Sequence, residues 1–144
     1  LLTVASLVGF GAVVGALPAF ATVRDAVLAI EGGPLVSLTI AMNALAGLTG
    51  TASGGMAIAL NQLGSYYMAL AAEYNINPEL MHRITTISAG TLDALPHNGT
   101  VLILLKLCGL THRESYLDMV MTVIVTCIVA LIAVLILGTM FGSF

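Results

Sequence analysis

Charged side chains fall into a few short clusters, and the apolar stretches between them set out the order of the chain. Residues 1–23 carry no charge, and a helix of about 20 apolar residues matches the ~30 Å hydrocarbon core of a bilayer. A transmembrane helix is therefore predicted over residues 1–17, closed by Pro18, which breaks or caps it. Residues 19–31 follow, with Arg24, Asp25 and Glu31 set among Val23, Val27, Leu28 and Ile30 at helical spacing. That pattern predicts an amphipathic helix lying in the membrane interface.

Residues 32–72 are again uncharged, too long for one crossing, and are interrupted by Gly50-Thr51-Ala52-Ser53-Gly54-Gly55. A helical hairpin over residues 35–70, broken near 50–55, fits this pattern. Its first arm, residues 35–49, would be roughly 22 Å long at 1.5 Å per residue and would stop partway through the membrane. Glu73, Asn75, Asn77, Glu79, His82 and Arg83 mark a return to the interface, with Pro78 just inside a new helix start. A helix over residues 79–109 is expected to be broken near 95–100, where Leu95-Pro96-His97-Asn98-Gly99-Thr100 interrupts the apolar pattern. Thr111 followed by Glu114 three positions on is a capping box. It heads a second full transmembrane helix over residues 114–141, rich in Val, Ile and Leu.

Composition sharpens this reading. Of 144 residues, 59% are hydrophobic and 8% charged, and the mean hydropathy is +1.08, against about 25% charged residues in ordinary soluble domains. The formal net charge is −3 and no Lys/Arg cluster occurs, which excludes nucleic acid as a partner. Cys108 and Cys127 lie in apolar runs without metal-ligand spacing and read as buried, reduced thiols; no metal or cofactor is expected. The start at Leu1-Leu2-Thr3, without a basic n-region, reads as the end of a longer membrane protein whose remaining N-terminal part is missing.

Two breaks inside apolar segments carry the chemistry. Backbone at membrane depth finds no water, so an interruption there implies protein burial or a wet cavity. A half-helix ending at such a place presents free N–H groups and a partial positive charge of about half a unit, which suits a carboxylate, and secondary transporters bind anionic solutes in this way. Around the first break, Thr49, Thr51 and Ser53 offer hydroxyls, while Gly54 and Gly55 permit close backbone approach. Around the second, Asn98, Gly99 and Thr100 supply donors and acceptors.

Asp93 lies far from any other charge in sequence, where a bare carboxylate costs ~3 kcal/mol. It is the first candidate for proton or substrate handling, with His97 second. Asn43 is read as pore-lining. The competing structural readings are that Thr49, Thr51 and Ser53 only back-bond to carbonyls, and that Asp93 serves as a cap or as a partner of Lys106. An intramembrane hydrolase is disfavoured, since the acids other than Asp93 lie at segment ends and supply no second deep carboxylate.

The run Thr49-Gly50-Thr51-Ala52-Ser53-Gly54-Gly55, the element Leu95-Pro96-His97-Asn98-Gly99 and the stretch Cys108-Gly109-Leu110-Thr111-His112-Arg113-Glu114-Ser115-Tyr116 resemble the GntP-type permeases, the gluconate:proton symporter family. The likeness covers residues 47–118. It implies an all-α membrane protein of the ion-transporter superfamily, in which transmembrane helices accompany a re-entrant hairpin and a broken helix. This chain would form one repeat of that inverted-repeat transporter. The resemblance further implies proton-coupled uptake of gluconate or a related small hydroxy-carboxylate in a bacterial cytoplasmic (inner) membrane. A permease of the same family for 3-hydroxybutyrate or D-serine, or a non-catalytic membrane subunit of a larger assembly, are the alternatives. The expected partners are the carboxylate, the proton, the lipid bilayer and the rest of the permease, with a homo-oligomer built through the long helices compatible with the pattern.

Overall fold

The computed structural model describes residues 16–30 and 32–142, together with Val13. The transmembrane helix expected over residues 1–17 lies almost wholly outside the described residues, as does Glu31. What is described is helical, with no strand among these residues. It comprises α1 (Pro18–Leu28), α2 (Pro34–Thr49), α3 (Ala52–Glu73), α4 (Pro78–Thr91), α5 (Gly99–Cys108) and α6 (His112–Phe141), the last containing a π-helical segment at Val120–Val125.

Local chemistry accounts for most helix ends. Pro18, Pro34 and Pro78 open their helices, where a missing N–H removes no helical hydrogen bond. Asn77 caps α4 by accepting the Glu79 N–H at 2.8 Å. Gly50 ends α2 with φ 66°, and Gly109 ends α5 with the same φ, a left-handed conformation that favours glycine. At the head of α6 the Glu114 carboxylate accepts from the Thr111 N–H at 2.8 Å and from the Thr111 hydroxyl at 2.7 Å.

The core is a three-helix packing. Leu38, Ala41, Met42 and Leu45 of α2 meet Ile58, Ala59, Leu63 and Tyr67 of α3 and Leu80, Met81 and Ile84 of α4, and Leu131 of α6 closes the far side. One buried polar link joins α1 to this core: the Ser37 hydroxyl lies 2.8 Å from the Tyr67 hydroxyl and 3.3 Å from the Val27 carbonyl. The α2–α3 crossing is close enough that a Cβ on Gly55 would lie 2.4 Å from the Ala46 Cα. A smaller apolar cluster packs Ala94, Val101 and Leu105 against Met119, Val123 and Ile124, so α5 and the chain before it rest on the π-helical part of α6.

At 1.5 Å per residue, α2, with 16 residues, is about 24 Å long, and α4, with 14, about 21 Å, both shorter than the ~30 Å apolar core of a bilayer. Helix α6, with 30 residues, is the one described element both long and apolar enough to cross a membrane. Leu117, Met121, Val129, Ile132, Ile136 and Met140 are exposed around it. A helix apolar on all sides and covered on so few of them has lipid, not water, as its natural solvent. The described residues thus form an all-α unit with one helix suited to a membrane.

One expectation changes in the structure: Cys108 is exposed and Cys127 half-buried, because both lie on helices whose apolar sides are open. Asn43, half-buried on α2, donates to the Thr39 carbonyl at 2.9 Å.

Candidate functional site

The α2–α3 turn and the α4–α5 connection meet. Between α2 and α3 stand only Gly50 and Thr51, so the chain reverses within two residues. Thr51 adopts an extended conformation, φ −151° and ψ 135°, and its hydroxyl accepts the Gly54 N–H at 2.8 Å, capping α3. Thr49 returns its hydroxyl to the Leu45 and Ala46 carbonyls at 2.9 and 3.2 Å, the back-bonding typical of threonine in a helix.

After α4 the chain runs irregularly through residues 92–98. Asn98, 1% exposed, then caps α5: its Oδ1 accepts from the Thr100 N–H at 2.7 Å and from the Val101 N–H at 3.4 Å. Asp93 ties the two interruptions to each other. Its Oδ1 accepts the Ala52 N–H at 2.7 Å and the Asn98 side-chain N–H at 2.8 Å. A carboxylate at the first N–H of α3 satisfies a donor that the helix itself cannot and sits at the favourable end of the helix dipole. Through Asn98 the same oxygen is linked to the head of α5.

Histidines make a second seam. His97 Nε2 lies 2.9 Å from the Gly47 carbonyl, and since a carbonyl only accepts, the imidazole is the donor. The His97 ring also lies over Gly50, where an added Cβ would come within 3.0 Å of Cδ2. Leu92 and Leu95 pack beside Gly47 at distances that leave little room for a side chain there.

Of the residues singled out in the sequence, Thr51, Asp93, His97 and Asn98 are thus joined at one junction, with Thr49 at its edge. Gly54 is buried, its N–H taken by Thr51. Ser53, Gly99 and Thr100 are exposed on the open side. Asn43 lies on α2 and makes no bond to the junction. The Ser53 and Gly99 N–H groups, one at the head of each helix, engage no acceptor among the described residues, leaving one donor on each of two neighbouring helix N-termini. Sequence reasoning missed two contributors: the Gly47 carbonyl, and His112, whose Nε2 lies 3.1 Å from the Pro96 carbonyl. Neither carries a local signal, because each acts through a partner distant in the chain.

Replacing Asn98 by alanine removes the cap of α5 and one donor to Asp93 at a buried position. The expected loss is about 1–2 kcal/mol, seen as a lower melting temperature of the detergent-purified protein, with Thr100→Ala close to wild type. An Asn98→Ala protein that melts with the wild type would show that the cap contributes nothing.

The chain is similar to a protein named "Uncharacterized transporter YxjC" from Bacillus subtilis (strain 168). The two are 46% identical over 110 residues, which make up 76% of this chain and 23% of that protein. The chain therefore spans about a quarter of the length of that relative. No family model matches the chain, and no solved structure matches it.

Proposed function

We propose that this chain is part of a secondary active transporter of the bacterial cytoplasmic membrane, carrying gluconate or a related small hydroxy-carboxylate into the cell with a proton. One observation carries this reading: two helix N-termini, α3 and α5, are held side by side by the Asp93–Asn98 pair, and each leaves one N–H without an acceptor among the described residues on an exposed face. Two such donors on paired positive helix ends suit the oxygens of a carboxylate. The exposed Ser53 and Thr100 hydroxyls flank them and suit the hydroxyls of the same solute. The transporter name of the relative and the resemblance to the gluconate:proton symporters support the class of activity. In this reading the α2–α3 turn is the tip of a re-entrant hairpin, residues 92–98 interrupt a broken helix, and the rest of the permease, built on an inverted repeat, faces the open side and completes the site.

Asp93 is the proton carrier in this reading. As a carboxylate it holds the α3 and α5 heads through charge-assisted bonds, roughly twice as strong as neutral ones. Protonation weakens both, so proton binding loosens the two interruptions from each other. That links the proton to the movement that exposes the site alternately to the two sides.

The test is uptake by the intact permease in proteoliposomes, with labelled gluconate, 3-hydroxybutyrate and D-serine supplied with and without an inward proton gradient. Accumulation of one acid that requires the gradient is expected. Folded protein that moves none of the three under any gradient would remove the support for carboxylate transport and favour a non-catalytic subunit of a larger assembly.

A further inference from the structure

The Pro96–His97 peptide is held from both sides. Pro96 accepts from His112 Nε2 at 3.1 Å, and His97 donates through Nε2 to Gly47 at 2.9 Å. Both bonds answer a need of the backbone. The Gly47 carbonyl belongs to the last turn of α2, where the helix supplies no N–H partner. The Pro96 carbonyl lies in the irregular segment, where the neighbouring turn bond runs instead from the Asn98 N–H to Leu95 at 2.9 Å. Neither carbonyl has another hydrogen bond among the described residues, and both bonds lie on the exposed side of the junction.

The line runs from the head of α6 through the interruption to the end of α2. It lies beside, and independent of, the Asp93 line that joins α3 to α5. Elsewhere α6 meets this region through apolar side chains, Met119, Val123 and Ile124 packed on Ala94, Val101 and Leu105. Apolar packing fixes the distance between elements but not the rotation of a peptide plane, whereas a hydrogen bond to a carbonyl fixes that rotation. The Pro96–His97 plane is followed two residues later by Gly99, whose N–H is the unengaged donor of α5.

We infer that His112 is a positioning residue of this junction: from the first turn of α6 it sets the Pro96–His97 peptide, and so the direction of His97 and of the Gly99 N–H toward a bound anion. The ligand in this inference rests on the carboxylate reading above; the fixing of the peptide does not. Because both imidazoles donate through Nε2, a glutamine at position 112 preserves the interaction and an alanine does not. His112 thereby makes α6, the one helix among the described residues long and apolar enough to cross a membrane, part of the frame that holds the site.

The experiment uses the full-length permease in lipid nanodiscs, as wild type, His112→Ala, His112→Gln and His97→Ala, with His82→Ala, an exposed residue at the start of α4, as a control. Amide exchange over residues 97–102 is expected to quicken about tenfold in His112→Ala, the equivalent of one ordinary hydrogen bond. It should return toward wild type in His112→Gln and stay unchanged over α4 in every variant. In uptake, His112→Ala is expected to raise the KM for the transported acid about tenfold with a smaller change in maximal rate, and adding it to His97→Ala should cost little more, since both act on one peptide. Unchanged exchange in His112→Ala, or a glutamine variant no better than alanine, overturns the inference and leaves the carboxylate reading intact. A wild type that moves no acid, with the exchange pattern as expected, sinks the carboxylate reading while the fixing of the peptide stands.

Discussion

Gly55→Ala is expected to be the most damaging single-methyl change in the described chain. The added Cβ would stand 2.4 Å from the Ala46 Cα and 2.5 Å from its nitrogen, so backbone, not a movable side chain, blocks it. Overpacking of a core costs about 1–3 kcal/mol when side chains give way, and a backbone clash sets that range as a floor. Helices α2 and α3 would have to separate at the crossing, and the Ala52 N–H, three residues before Gly55, would leave Asp93. Two other glycines calibrate the effect. Gly138 faces the flexible end of Leu80, with Cδ1 at 2.5 Å, so alanine there should cost less; Gly64 has nothing within 4 Å, and alanine there should be neutral or stabilising by about 0.5–1 kcal/mol. Melting temperatures and the monodisperse fraction after detergent extraction give the order. Gly55→Ala melting as high as Gly64→Ala would mean that the crossing is looser than described.

Where helices start and stop is written locally, and this part of the fold is legible in the residues. Asn77-Pro78, Asn98-Gly99 and Thr111 with Glu114 are caps whose chemistry needs no distant partner, and Gly50 and Gly109 occupy the left-handed conformation that ends a helix. The hydrophobic period gives α6 its length in the same way. What joins these ends is not local. Asp93 could be seen to need a partner, but that its partners are the Ala52 N–H, 41 positions away, and the Asn98 amide depends on how α2, α3 and α4 pack, which no window of sequence holds. The same is true of His97 and Gly47, 50 positions apart. The hydroxyls show the opposite limit. Thr49 and Thr51 have the right type for a ligand and stand at the right place, yet the first back-bonds and the second caps, because a helix end offers those partners before any solute arrives. The π-helical segment Val120–Val125 was equally hidden: its residues read as an ordinary apolar helix, and nothing in their pattern marks the wider i→i+5 winding where Val123 and Ile124 pack on Val101 and Leu105.

Substitutions of Asp93 separate the clamp from the proton. Asp93→Ala leaves the Ala52 N–H and the buried Asn98 amide without their acceptor. Each loss costs about 1–3 kcal/mol away from water, so the α3 and α5 heads should part and uptake should fall by a hundredfold or more, together with a lower melting temperature. Asp93→Asn is the informative change, because its amide oxygen still accepts both donors while the charge and the titrating proton are gone. It is expected to melt somewhat below the wild type, because its bonds to the two donors are neutral rather than charge-assisted, and well above Asp93→Ala. If Asp93 carries the proton, this variant still exchanges labelled for unlabelled acid across the membrane, since exchange needs only the binding site and its movement. It no longer accumulates acid against a gradient, since accumulation needs the proton to be taken up and released in each cycle. The two assays on one set of vesicles therefore read the two roles separately. Accumulation that survives in Asp93→Asn would make Asp93 a clamp between the two interruptions and nothing more, and would move the search for the proton site to the part of the permease facing this junction.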